Sequence, residues 1–297
     1  MPWAQPSYVG LSDRATDSCR SLVRSLSSDA TGSLTASDRI EGNLLAADPF
    51  LHKLEHAGRL TDDEKNELKT LAFNRRCVPA HHDFNPGDPG DRVYLVMSGF
   101  ACRYKVLRTG NRRIVSFVLP GDLCHMHDAG AFGRDLRVGA LTTCSVADLS
   151  RPKLTELIGS YPGISRAIWW VTLRELSRAR EWIVNDTRPA DKRLAHLLCE
   201  LLTSLQQIDL AGEHGFDFPV SQGDVADALG ISAVHTNRVL QALRTSGLIT
   251  WSNQQVAIPD VPQLKAFAEF DPGYLCLECF GAEAAAARMP SPLARAS

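Results

Sequence analysis

The spacing of apolar positions changes several times along the chain. In residues 43–71, Phe50, Leu51, Leu54, Leu60 and Leu68 fall at helical intervals, and Thr61-Asp-Asp-Glu64 has the form of a capping box. From Cys77 to Leu149 the period falls to two. Residues 93–96, 99–106, 113–119, 139–141 and 145–149 read as short strands. Turn residues separate them at 85–90, 98–99, 109–111 and 120–122. Many short strands with this punctuation predict a small β-barrel or jelly roll. Helical spacing returns at 153–158. A long run then opens at Tyr161-Pro162 and continues to about Val184. Trp169, Leu173, Leu176, Ala179 and Ile183 recur along it as a helix–helix seam would. Residues 185–189, ending in Pro189, break that run and form a hinge. A further helix is expected over 190–208, with Leu194, Leu197, Leu198, Leu201, Leu202 and Leu205 on its core face.

Residues 221–246 carry the densest local code. Ser221 and Asp224 make a second capping box, and Val225, Ala226 and Leu229 share one helical face. Gly230 suits a left-handed turn, which a Cβ resists. Ser232 caps a second helix, in which Thr236, Val239, Leu240 and Leu243 form the inward stripe. Val234, Asn237, Arg238, Gln241 and Thr245 then lie on the opposite face. Two helices joined by a glycine turn, the second presenting Arg, Asn and Gln outward, form a helix-turn-helix. Arg238 has the donors to read guanine, and Asn237 and Gln241 suit adenine. Ser232 and His235 lie within reach of phosphates, and Ser221 and Gln222 join the candidate DNA-binding set. The plainer alternative is a packed helical hairpin. Residues 247–251 and 256–258 alternate like a wing hairpin, and 261–270 reads as a closing helix.

Composition narrows the picture. The chain has 297 residues and a formal net charge of −2, enough length for two domains and no global basic field. Residues 187–262 hold five Lys/Arg against eight Asp/Glu, so nucleic-acid binding would rest on a few local contacts and be sensitive to salt. No apolar run reaches membrane-spanning length and no secretion signal is evident, which points to the cytoplasm. The eight cysteines are then expected to be reduced and buried. Residues 1–42 are Ser-, Asp- and Ala-rich and read as disordered, with Cys19 alone; residues 281–297 read as frayed.

The order jelly roll, long apolar helix, hinge and winged helix-turn-helix resembles the Crp/Fnr family of bacterial transcription regulators. The resemblance covers about residues 44–275. It rests on Phe117-Val-Leu-Pro-Gly-Asp122, Arg193-Leu-Ala-His-Leu-Leu198, Val225-Ala-Asp-Ala-Leu-Gly-Ile-Ser232 and Asn237-Arg-Val-Leu240. Together with the readings outside that span, it implies an α+β chain in five parts: a disordered extension (1–42), a cyclic-nucleotide-binding-like sensor (43–158), a dimerisation helix and hinge (159–186), a winged helix-turn-helix (187–262) and a closing helix with a frayed tail (263–297). It also implies a homodimer reading a palindromic operator in double-stranded DNA, with RNA polymerase as a further partner. The dimer interface would use Ile164, Trp169, Leu173, Leu176 and Ile183.

Two departures qualify the resemblance. The family holds a cyclic nucleotide with a Gly-Glu pair and an Arg followed by Ser or Thr. Residues 123–138 supply Arg134 and Arg137 but no Glu, and neither Arg precedes Ser or Thr. Cyclic AMP is therefore not the expected effector. The family's Arg-Glu at the start of the recognition helix is Ala233-Val234 here, so the operator should differ; Val234 would suit a thymine methyl.

Cys124-His-Met-His-Asp128 is the one unusual run. As a strand it would put His125 and His127 on one face and Cys124 with Met126 on the other. With Arg134 and Arg137, Cys124, His125 and His127 make the candidate effector pocket. A metal- or redox-responsive regulator is one alternative, although paired metal spacings are missing. A ligand-binding adaptor without DNA activity is another. Cys276-x-x-Cys279 is a lone pair, and His81-His82 reads as a surface loop. No nucleophile elbow, Walker loop or zincin motif is present, so neither an enzyme nor a resident cofactor is expected.

Overall fold

The computed structural model describes residues 49–71, 74–84, 92–126 and 136–275. The sequence-expected extension, His127, Arg134, Cys276, Cys279 and the tail lie outside them. Helices α1 (Pro49–Glu55) and α2 (Asp62–Thr70) open the described chain. They replace the single helical region expected there, and Gly58 between them has φ 129°. The Thr61–Glu64 capping box forms as read from sequence.

Among the described residues seven strands follow: β1 (Asn74–Val78), β2 (Arg92–Ser98), β3 (Ala101–Val106), β4 (Arg112–Val118), β5 (Leu123–Cys124), β6 (Arg137–Ala140) and β7 (Cys144–Ser150). They build two antiparallel sheets, ordered β1-β7-β2-β5 and β4-β3-β6. β1 is absent from the sequence reading because Asn-Arg-Arg-Cys-Val lacks apolar alternation; it is an edge strand.

Each sheet is covered on both faces. Tyr94, Val96, Val118, Cys124 and Val146 meet between the sheets. Val93, Leu95, Ala147 and Leu149 face outward onto α1, α2 and the helices after β7. This two-sided burial explains why β2 reads as a continuous apolar run. The other sheet turns Cys102, Tyr104, Ile114 and Phe117 outward, into a core shared with the C-terminal domain.

Helix α3 (Arg151–Ser160) leads to the long α4 (Pro162–Asn185). Ile164, Ala167, Ile168 and Trp170 bury its first half against the N-terminal helices and sheet. A break over residues 186–189 precedes α5 (Ala190–Gln206), whose six expected core leucines are all buried. Then come β8 (Gly215–Asp217), α6 (Gln222–Leu229), α7 (Ala233–Thr245), β9 (Thr250–Ser252), β10 (Gln255–Ala257) and α8 (Val261–Ala268). The order β8-β10-β9 makes the wing a three-stranded sheet, with Phe216, Val256 and Trp251 in register. Glu269 turns left-handed after α8, and a single 3-10 turn, Pro272–Leu275, packs back on α4 and α5.

Candidate nucleic-acid interface

The helix-turn-helix is built by its caps. The Ser221 hydroxyl accepts from the Asp224 N–H at 3.1 Å, and the Asp224 carboxylate accepts from the Ser221 hydroxyl at 2.6 Å and its N–H at 3.2 Å. Gly230 ends α6 at φ 65°, ψ 33°. Ser232 accepts from the His235 N–H at 3.2 Å and starts α7. Thr236, Val239, Leu240 and Leu243 are buried, as the stripe requires. Arg244 ties α7 to the wing through the Trp251 carbonyl.

Ser221, Gln222, Ser232, Val234, His235, Asn237, Arg238 and Gln241 are all exposed. The Asn237 amide donates to the Gln222 side chain at 3.5 Å, so the α7 face and the start of α6 form one surface. Beside it runs a groove of about 540 Å³, bounded by Pro189–Asp191 at the start of α5 and by Ser232, Val234, His235 and Arg238. The surface holds hydrogen-bonding groups and a single guanidinium at its centre, with no carboxylate on α7. That set suits base edges and phosphates.

The other candidates are placed less favourably. β5 ends at Cys124, and His125 turns left-handed at φ 62°, so the strand alternation read from the residue types breaks at His125. Cys124 is buried between the sheets, and burial pushes its thiol up to about 12. His125 packs edge-on against Tyr94 at 5.5 Å. Arg137 starts β6 on the other sheet and points to solvent, 3.7 Å from Asp83. Cys124 and Arg137 therefore do not line one cavity. Among the described residues no three His, Cys, Asp or Glu side chains are grouped to hold a metal ion. Cys102, Cys124, Cys144 and Cys199 are buried free thiols as expected, whereas Cys77 is disulfide-bonded.

The α4 seam divides. Ile164 is fully buried in its own domain, so its assignment to the dimer stripe is corrected: α1 and α2 already cover the first turns of α4. Trp169, Leu173, Leu176 and Ile183 are 63%, 39%, 45% and 71% exposed. Around the hinge, Arg188 bridges Glu181 on α4 at 3.0 Å and Glu269 after α8 at 3.9 Å. Buried Glu200 accepts from the Trp182 indole at 3.1 Å and the Tyr274 hydroxyl at 2.7 Å.

One contact escaped the sequence reading. Arg112 on β4 holds Asp227 at 2.7 Å and Asp224 of the capping box. Its neighbour Arg113 donates to both Asp186 carboxylate oxygens at 2.7 and 2.8 Å, and lies against Gly230. Around this pair Phe218 meets Phe100 and Phe117 at 5.7 and 5.8 Å between ring centroids, and Phe117 meets Trp182 at 6.2 Å. Burial pushes the Asp227 carboxyl above the usual range even with Arg112 beside it. Desolvation offsets much of the attraction in a buried pair, so its main effect here is to fix a position. The only sequence signal is the run 101–118, which has five Lys/Arg and no acid.

Comparison with known proteins agrees with this architecture. The model of the Crp-like helix-turn-helix domain matches residues 192–267, and that of the cyclic nucleotide-binding domain matches 81–161. The nitrogen fixation regulation protein FixK of Bradyrhizobium diazoefficiens is 31% identical over 188 residues, covering 62% of this chain and 77% of its own. The transcriptional activator protein FnrL of Cereibacter sphaeroides is 25% identical over 221 residues, covering 73% of this chain and 88% of its own. The structure of FixK2 from Bradyrhizobium japonicum superposes with a TM-score of 0.57 at 26% identity, covering 66% of this chain and 98% of that one. The chain belongs to the Crp/Fnr family of DNA-binding transcription regulators.

Proposed function

We propose that the protein acts as a homodimer that reads a two-fold symmetric operator through α7, in response to a signal received by its N-terminal barrel. The carrying observation is the capped, core-anchored α7, with Arg238, Asn237 and Gln241 on its exposed face and Ser221, Gln222, Ser232 and His235 at its rim. Arg238 supplies base-edge contact, Val234 an apolar contact, and the rim residues phosphate contacts. Trp169, Leu173, Leu176 and Ile183 pair with a second copy. The protein works by binding and not by catalysis, in the cytoplasm, with RNA polymerase as the partner such a regulator would recruit.

Mapping genomic binding sites supplies the operator. Fluorescence anisotropy then compares Arg238→Ala with wild type on the operator and on random DNA. The expected loss is about 1–3 kcal/mol on the operator and much less on random sequence. Equal losses would reduce Arg238 to a phosphate contact. Wild-type protein without operator preference would favour the adaptor reading. Leu173→Asp with Leu176→Asp should sediment as monomer, where wild type is dimeric at micromolar concentration. Calorimetric titration with cyclic AMP should show no binding that alters operator affinity, because residues 123–138 lack the Glu and the Arg-Ser/Thr pair.

A further inference from the structure

We propose that Arg112 is a positioning residue for DNA binding: from the barrel, it holds the first helix of the helix-turn-helix so that two recognition helices meet their half-sites at the right separation. The inference rests on the operator-reading function proposed above.

The barrel reaches the C-terminal domain by two routes. One is the covalent path through α4 and the hinge. The other is direct: the aromatic packing of Phe100 and Phe117 on Phe218, and the Arg112 contact from β4 onto α6. Arg112 has a buried side chain whose fork spans two carboxylates on successive turns of α6, Asp224 and Asp227. Its guanidinium also lies 5.8 Å from the Tyr104 ring centroid, so the barrel supports it from behind. Arg113 extends the grip to Asp186, where α4 ends, and to Gly230, where α6 ends. The strand thus touches the start and end of α6 and the end of the long helix. It leaves the outward face of α7 untouched, since every candidate base- and phosphate-contacting residue stays exposed. A contact that avoids the DNA face and fixes the module carrying it sets orientation. Two heads held in a fixed relation bind a two-part site with less loss of freedom than two heads swinging on hinges. Lysine would not replace this function, because an ammonium lacks the planar fork that serves two acids at once.

The test measures binding of the dimer to the full operator and to a DNA carrying one half-site. Arg112→Ala should bind the full operator roughly tenfold more weakly and the half-site within about twofold of wild type. Asp227→Asn, a nearly isosteric change, provides the second variant if Arg112→Ala does not fold. It should lose affinity in the same pattern, and the double variant should lose little more than either single one. Arg112→Lys should fall between wild type and Arg112→Ala. Equal losses on operator and half-site would mean that Arg112 merely maintains α6 and would overturn the proposal. So would unchanged affinity, or a gain, which would make the contact inhibitory. Wild-type protein that fails to prefer operator over random DNA would instead overturn the operator reading itself.

Discussion

Among the described residues two capping boxes of the same design occur, one in each domain, and their differences are informative. In the barrel domain Thr61 and Glu64 start α2; in the C-terminal domain Ser221 and Asp224 start α6. In both, the carboxylate at the third helical position has capacity left after satisfying its own cap. Glu64 uses it on the backbone, accepting from the Gly163 N–H at 2.6 Å where α4 begins. Asp224 uses it on a side chain, Arg112, from the other domain. The first link is short and lies within one domain's core. The second is made by a long, charged side chain reaching across from the other domain. The same local motif thus serves as a joint within a domain in one place and between domains in the other.

The largest expected effect comes from breaking the joint within the barrel domain. Glu64→Ala would strip an acceptor from the N–H groups of Thr61 and Gly163. The buried Gly163 N–H left unpaired costs about 1–3 kcal/mol, whereas the exposed Thr61 N–H can turn to water. Thermal unfolding should show a drop of several degrees, with operator affinity of the folded fraction little changed.

Intermediate effects should separate the two boxes. Thr61→Ala and Ser221→Ala each remove a cap worth about 1 kcal/mol, so their melting shifts should be similar. Only Ser221→Ala also loosens the carboxylate that Arg112 grips, so only it should weaken operator binding beyond what its melting shift explains. Matching effects on DNA binding would erase the distinction between the joints.

The smallest effect is a pH dependence. Burial alone would raise the Glu64 carboxyl, but hydrogen bonds from Thr61 and the start of α4 outweigh it and hold the group below its ordinary value. A depressed carboxyl stabilises the fold above that ordinary value and loses its contribution as pH falls through the folded one. The stability gap between wild type and Glu64→Gln should therefore narrow as pH drops below the usual carboxylate range, as read from urea titrations across pH 6 to 3. A gap independent of pH would mean that Glu64 acts through packing alone.

What the sequence shows depends on how far apart the interacting residues lie. The α6–α7 pair is legible in detail because caps, a glycine turn and a 3.6-residue stripe act within a few residues of each other. The jelly roll is legible as a class, from its period and turns. The seam between domains is not. Arg112 meets partners 112 and 115 residues later, and no periodicity says which neighbour covers the outer face of a sheet. Ile164 illustrates the same limit: it continues the α4 stripe, yet its own domain covers those turns. His125 shows another, since one left-handed residue ended an alternation that the residue types allowed.

The core shared by the sheet β4-β3-β6 and the C-terminal domain has a consequence for how the chain is made. Phe100 and Phe117 complete their packing only with Phe218. Synthesis runs from the N-terminus at roughly 5–20 residues per second, so Phe117 emerges some 5–20 s before the ring that covers it. During that interval the nascent barrel presents an uncovered aromatic face on the ribosome, available to a chaperone or to another nascent copy. Once the chain is complete, the same face gives the two domains a common fate. Heating should melt barrel and C-terminal domain in a single cooperative transition, although their sequences read as separate units.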